Sequence, residues 1–120
     1  MHELGICRNI IAIVSDAAAG RRVHRVTLEV GKLAGVMSEA IAFCFPVVAE
    51  GTALADAVLD IREIVGRARC TACGCEFEVA TFVTACGCGC QNLVRVAGEE
   101  LNIKSFEAEE ARSDVRTMRM

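Results

Sequence analysis

The sequence predicts an α+β fold: a small sheet packed with two helices, accompanied by a separate cysteine-rich module. Three observations predict it. Apolar residues recur at helical spacing near the start of the chain and again around Ile41. Alternating apolar and polar residues, the pattern of a half-buried strand, follow each of these stretches. Six of the eight cysteines crowd between Cys70 and Cys90, in a Gly-rich stretch with little apolar material for a core.

The first helix is expected over Glu3–Ala19, with Leu4, Cys7, Ile10, Ile11, Val14 and Ala18 on one apolar face and Gly20 as the stop. VHRVTLEVGKL then alternates. His24, Val26, Leu28 and Val30 point one way, and Arg25, Thr27 and Glu29 the other, which makes His24 a structural histidine on the apolar side. Gly31 and Gly35 mark the turn region that follows. Ser38 can cap a second helix, with Glu39 well placed in its first turn. That helix, SEAIAFCFPVVAEG, would bury Ile41, Cys44 or Phe45, and Val48. Pro46 removes one backbone bond and crowds the preceding turn, so a kink or an early stop is expected there. AVLDIREIV reads as the next strand, with Leu59 and Ile61 on the face of Ala57. Beyond Gly66 only EFEVA reads as a strand within the cysteine stretch, and NLVRVAG and EELNIKSFE follow as two strands parted by Gly98. The final AEEARSDVRTMRM, residues 108–120, reads as a loose tail.

Composition narrows the function. The net charge of −3 is spread without a basic stripe, which argues against nucleic acid as a partner. No apolar run is long enough to span a bilayer, so no membrane association is expected. The opening residues lack the basic segment and long apolar run of a secretory leader, and a cytoplasmic location is expected. No Ser/His/Asp set, carboxylate pair or Walker loop stands out, so the chain is not expected to be an enzyme.

The cysteines carry the clearest chemistry. Cys70-Thr-Ala-Cys73 is a CxxC knuckle, and Cys86, Cys88 and Cys90 supply the second pair after a gap of twelve residues. Two thiolate pairs on separate turns close a tetrahedral shell around Zn(II), and four sulfurs leave no open catalytic position. Glycines after the cysteines permit the tight turns that aim backbone N–H groups at sulfur. Zinc is favoured over disulfides or a four-thiolate iron site. Cys73-Gly-Cys75 and Cys88-Gly-Cys90 look like matching halves, which points to Cys70, Cys73, Cys86 and Cys88 as ligands. The rival set takes Cys90 in place of Cys88. Cys7 and Cys44 lie on apolar helix faces and read as small buried hydrophobes.

The chain opens MHELGICRN. The Met1 amine, the His2 imidazole and nearby backbone amides can wrap one ion in five- and six-membered chelate rings. Such nitrogen-rich, tetragonal surroundings suit Ni(II) and Cu(II). Glu3 can add an oxygen or tune the site. Taken alone, a terminal dipeptide is a weak motif.

The order of parts is more specific. MHE, a helix with Leu4 and Cys7, RVTLEVGKLAGV, AFCFPVVAEGT, the cysteine knuckles and GEELNIKSFE together resemble the hydrogenase maturation nickel chaperones, the HypA/HybF family, from Met1 to Glu107. The resemblance implies a nickel-binding α+β domain over residues 1–66 and 96–107, and a zinc-binding domain over 67–95 inserted before the final strand. It implies Ni(II) bound by His2 with Met1 and Glu3, and structural zinc on two knuckles. It implies two partners, a nickel-binding GTPase and the [NiFe] hydrogenase large-subunit precursor, with urease also served by some members. A homodimer is left open. The second knuckle departs from the family's CxxC, being CGCGC. The alternative from another class is a zinc-ribbon adaptor with no nickel role.

Overall fold

The computed structural model describes residues 2–82, 84–109, 111–113 and 118–119. It is an α+β fold with two sheets. Helix α1 spans Glu3–Ala17 and strand β1 spans Val23–Gly31. Helix α2 spans Ser38–Ala49 and β2 spans Val58–Ile64. Strands β3 (Gly66–Cys70), β4 (Glu76–Val79) and β5 (Leu93–Ala97) form a small antiparallel sheet in the order β4-β3-β5. Strand β6 (Leu101–Ala108) returns to the first sheet, where β7 (Ala111–Ser113) and β8 (Met118–Arg119) pair with it. The expected loose tail falls partly outside the described residues. Its described parts are these two short strands.

β1 is the central strand. It pairs in parallel with β2 and antiparallel with β6. A parallel pair needs a crossover connection, and α2 provides it. The expected apolar face of α1 packs here: Cys7, Ile10, Ile11, Val14 and Ala18 join Val23, Val26, Leu28, Ile41, Phe45, Leu54, Ile103 and Phe106 in one core. Leu4 departs from the expectation. It is exposed, and Ile6, which flanks Ile10 at the other edge of the apolar face, is buried instead.

His24 also departs. Its side chain is exposed, not turned to the core. The cause is a register shift in the β1–β6 ladder between Val23 and Arg25, which breaks the strict alternation at that point. Thr27 is buried although the pattern placed it outside, and it sits in register between Asp60 and Ser105. In α2 the N-cap is Met37 rather than Ser38, and it makes no side-chain cap. The helix does not stop at Pro46 but runs on to Ala49. Ile41, Phe45 and Ala49 are its buried residues, while Cys44 and Val48 are half-buried against the core.

Two contacts fix how the helices lie. Glu3 meets Met37 and Cys7 meets Ile41, both pairs 34 residues apart, so α1 and α2 run side by side in the same direction. Both helix N-termini therefore lie where β1 and β2 end, since Gly31 and Ile64 are partners in the ladder. The cysteine module grows from this same end, leaving after Ile64 and returning at Leu101 beside Val30.

The join is made by backbone. Gly31 N donates to Glu100 O at 2.7 Å, Lys32 N to Ile64 O at 2.9 Å, and Leu33 N to Gly98 O at 2.7 Å. The Leu33 side chain enters the small core of the second sheet with Ala68 and Val79, flanked by Phe77 and Leu93. Glycine is required at Gly31, where any Cβ would overlap the Gly98 carbonyl.

Candidate metal centres

The cysteine centre is built by two turns. β3 ends at the buried Cys70, paired with Leu93 of β5. In the first knuckle, Gly74 N donates to Cys70 O at 2.9 Å, Cys70 N to Cys75 O at 2.9 Å, and Ala72 N to Cys70 Sγ at 3.4 Å. Gly74 holds a φ of +75°, a left-handed conformation that favours glycine. The second knuckle repeats the pattern. Gly89 N donates to Cys86 O at 2.8 Å and Cys86 N to Cys90 O at 2.9 Å.

The two knuckles face each other through sulfur. Cys70 Sγ lies 3.6 Å from Cys88 Sγ, and Cys73 Sγ lies 3.5 Å from Cys86 Sγ. All four sulfurs lie within 4.8 Å of one another. A tetrahedral zinc–thiolate shell with bonds near 2.3 Å separates its sulfurs by about 3.8 Å, so the set fits Zn(II). Cys90 is not among the four. Its sulfur accepts from Asn92 N at 3.4 Å. The Cys75 thiol is exposed and turns toward the Glu76 carbonyl.

The thiols influence one another. The Cys73 backbone N–H, with other hydrogen bonds, lowers Cys70 to about 6. Cys86 moves the other way, to about 12. The Cys88 backbone N–H pulls it down, but contact with the Cys73 and Cys88 thiols and burial outweigh that pull. One sulfur ionises readily while its neighbour keeps a proton, as expected where negative charges crowd. A divalent cation would allow all four to ionise.

The amino-terminal centre is more open. Met1 lies outside the described residues. His2 is the exposed N-cap of α1, and its carbonyl accepts from Ile6 N at 3.2 Å. The amides ahead of Ile6 have no acceptor within the helix, so the His2 and Glu3 nitrogens can serve elsewhere without breaking a helical bond. Glu3 Oε2 accepts the Met37 backbone N–H at 3.1 Å. That bond, more than any other influence, holds the Glu3 carboxyl below its ordinary range. Nearby, a cleft of about 470 Å³ opens between the end of β1 and the start of α2, lined by Val30, Lys32, Met37, Glu39 and Glu63. The role of Met37 escaped the sequence reading, because a backbone N–H leaves no mark in residue type.

The other cysteines are packing groups. The Cys7 thiol donates to Ile41 O at 3.4 Å, and burial, with Cys44 and Glu3 nearby, raises it to about 11. His24 lies exposed on β1.

Comparison with known proteins agrees with this architecture. The family model described as hydrogenase/urease nickel incorporation, metallochaperone, hypA matches residues 1–108. The hydrogenase maturation factor HypA of Nostoc sp. is 51% identical over 110 residues, covering 92% of this chain and 97% of that one. Its counterpart in Geobacter metallireducens is 44% identical over 110 residues, covering 91% of this chain and all of that one. Among solved structures, the nickel metallochaperone HypA from Helicobacter pylori superposes with a TM-score of 0.64 at 24% identity, over 90% of this chain and 97% of that chain. At that identity the likeness concerns the fold.

Proposed function

The chain belongs to the HypA family of hydrogenase/urease nickel-incorporation metallochaperones, and on that premise we propose that it binds Ni(II) at its amino terminus and delivers it during [NiFe] hydrogenase maturation. The Met1 amine and His2 hold the ion, and Glu3 completes the nickel site either by adding an oxygen or by tuning it. Residues 1–66 and 96–107 form the nickel-binding unit, and residues 67–95 the zinc-binding unit. Zn(II) is held for structure by Cys70, Cys73, Cys86 and Cys88, the four sulfurs within 4.8 Å of one another.

The observation that carries the nickel reading is His2 itself. It stands exposed at the N-cap of α1, with unused backbone amides beside it, in a chain that the family model matches from its first residue. An open site on the surface suits a carrier, which must release its cargo. Transfer is ligand exchange within a docked complex, and no bond of an organic substrate is made or broken. The nickel is handed to the hydrogenase large-subunit precursor, in cooperation with a GTPase partner that also binds nickel.

The four thiolates leave zinc no open coordination position, so its contribution is to hold the two knuckles together.

The test is nickel titration of His2→Ala and of a protein extended by one residue ahead of Met1, which converts the amine to an amide. Both changes are expected to weaken nickel binding strongly. Unchanged affinity in both would remove the proposed site.

A further inference from the structure

The bond between Glu3 and Met37 joins the first turns of two helices that otherwise meet through apolar side chains and the Cys7 thiol on the Ile41 carbonyl. Met37 is the N-cap of α2, and its backbone N–H needs an acceptor. In an ordinary capping box that acceptor is a Glu or Gln three residues further along the same helix. In α2 that place is taken by Ala40, which has nothing to offer. Glu3, the first residue of α1, supplies the missing carboxylate from the neighbouring helix at 3.1 Å. The positive end of α2 favours negative charge there as well.

We propose that the Glu3 carboxylate is a positioning group rather than a nickel ligand. It straps the first turn of α1 to the first turn of α2 and so holds the His2 end of the chain in place. This rests on the reading that nickel binds at the amino terminus. A short arm ahead of a helix is ordinarily loose. Its donors must be gathered before they can chelate, and a strap one residue from His2 lowers that ordering cost. The Glu3 backbone nitrogen stays available to the metal, because the strap uses only the side chain. The second helix thereby becomes part of the nickel site without touching the ion.

The experiment uses the full chain loaded with zinc, with three variants: Glu3→Gln, Glu3→Ala and His2→Ala. Hydrogen exchange at the Met37 amide is followed by NMR, and nickel affinity and visible spectrum by titration with Ni(II) alone. Glutamine keeps an oxygen acceptor, so Glu3→Gln is expected to keep Met37 protected and the nickel spectrum unchanged. Glu3→Ala is expected to speed Met37 exchange, even without nickel, and to weaken nickel binding several-fold.

Two outcomes overturn the proposal. One is a nickel spectrum altered by Glu3→Gln, or Met37 protection lost when nickel is added to the unmodified protein, either of which makes the carboxylate a ligand. The other is a Met37 amide that stays protected, or full nickel affinity, in Glu3→Ala. Unchanged binding in His2→Ala is a separate result. It removes nickel from this terminus and with it the reading on which the strap's purpose depends, whatever Met37 does.

Discussion

Leu33 donates its backbone N–H to the carbonyl of Gly98 at 2.7 Å and sends its side chain into the core of the cysteine module. Leu33 follows β1, the central strand of the large sheet, whereas Gly98 closes the small one. One residue thus belongs to both units, by backbone to their junction and by side chain to the smaller core.

Leu33→Ala is therefore expected to loosen the module more than the domain that supplies the leucine. Among the described residues that core has two other buried members, Ala68 and Val79, so truncation leaves a hole that little can fill. The cost is about 2–3 kcal/mol. Hydrogen exchange should accelerate in β3 and β5 while β1 and α1 keep their protection. Equal acceleration throughout would mean that the two units unfold as one. Gly31→Ala is expected to be at least as damaging, because its Cβ would overlap the Gly98 carbonyl and the neighbouring backbone on both sides of the junction is already paired.

The junction also separates what the sequence revealed from what it did not. Apolar spacing exposed α1 through Ile10, Ile11, Val14 and Ala18, and alternation exposed β1 through Val26, Leu28 and Val30, because these residues face one core. It misplaced His24, since a ladder irregularity next to Val23 leaves no trace in residue type. It missed β3, although GRARC alternates, because Arg67, Ala68, Arg69 and Cys70 lack the bulky apolar residues that usually mark a strand. In the cysteine centre, the matching CGC halves pointed to the four sulfurs that the fold gathers. The turn of the Cys90 sulfur toward Asn92 was not readable, since it depends on how β5 begins. Contacts made by backbone, Glu3 with Met37 above all, were likewise out of reach.

Serine substitution should separate the cysteines into two groups. Cys70→Ser, Cys73→Ser, Cys86→Ser and Cys88→Ser are each expected to lower zinc affinity sharply and to melt the small sheet. Cys75→Ser and Cys90→Ser should keep both zinc and fold. The apparent binding free energy of structural zinc is about 10–16 kcal/mol, far more than the small core around Leu33 contributes. A strong chelator should therefore unfold the module and leave α1 and α2 intact. Zinc content by mass spectrometry, with circular dichroism, reads both effects. Retention of zinc by Cys88→Ser together with its loss from Cys90→Ser would reverse the assignment of the second knuckle.

Cys7 should respond to pH in a set direction. Burial, followed by the nearby Cys44 and Glu3, raises its thiol from 9.0 to about 11 in the folded chain. A raised folded value means that the neutral thiol is favoured by folding. Its contribution is fully present below about pH 9 and is lost as pH climbs toward 11. At pH 8 the thiolate fraction is about a hundredfold smaller than for an unperturbed cysteine. Iodoacetamide should therefore modify the exposed Cys75 well before Cys7 in the zinc-free protein, as read by peptide mass mapping. Early modification of Cys7 in a protein that is still folded would contradict its burial between α1 and α2.

Pro46→Ala is expected to stabilise the protein. Pro46 lies exposed inside α2, and it has no N–H for the carbonyl of Ala42, one turn earlier. The helix persists to Ala49 because its other face holds Ile41 and Phe45 in the core. Each fully buried side chain of that size contributes about 1.5–3 kcal/mol, and together they outweigh a proline cost of about 3 kcal/mol. Alanine restores the missing donor and removes the crowding without touching the buried face. The expected gain is about 1–3 kcal/mol, seen as a rise in Tm of about 4 °C or more by circular dichroism. The exposed Phe43 and Val47 on the same outer surface should be unaffected. A fall in Tm would show that the proline ring itself, rather than the packing of Ile41 and Phe45, holds the second half of α2 in place.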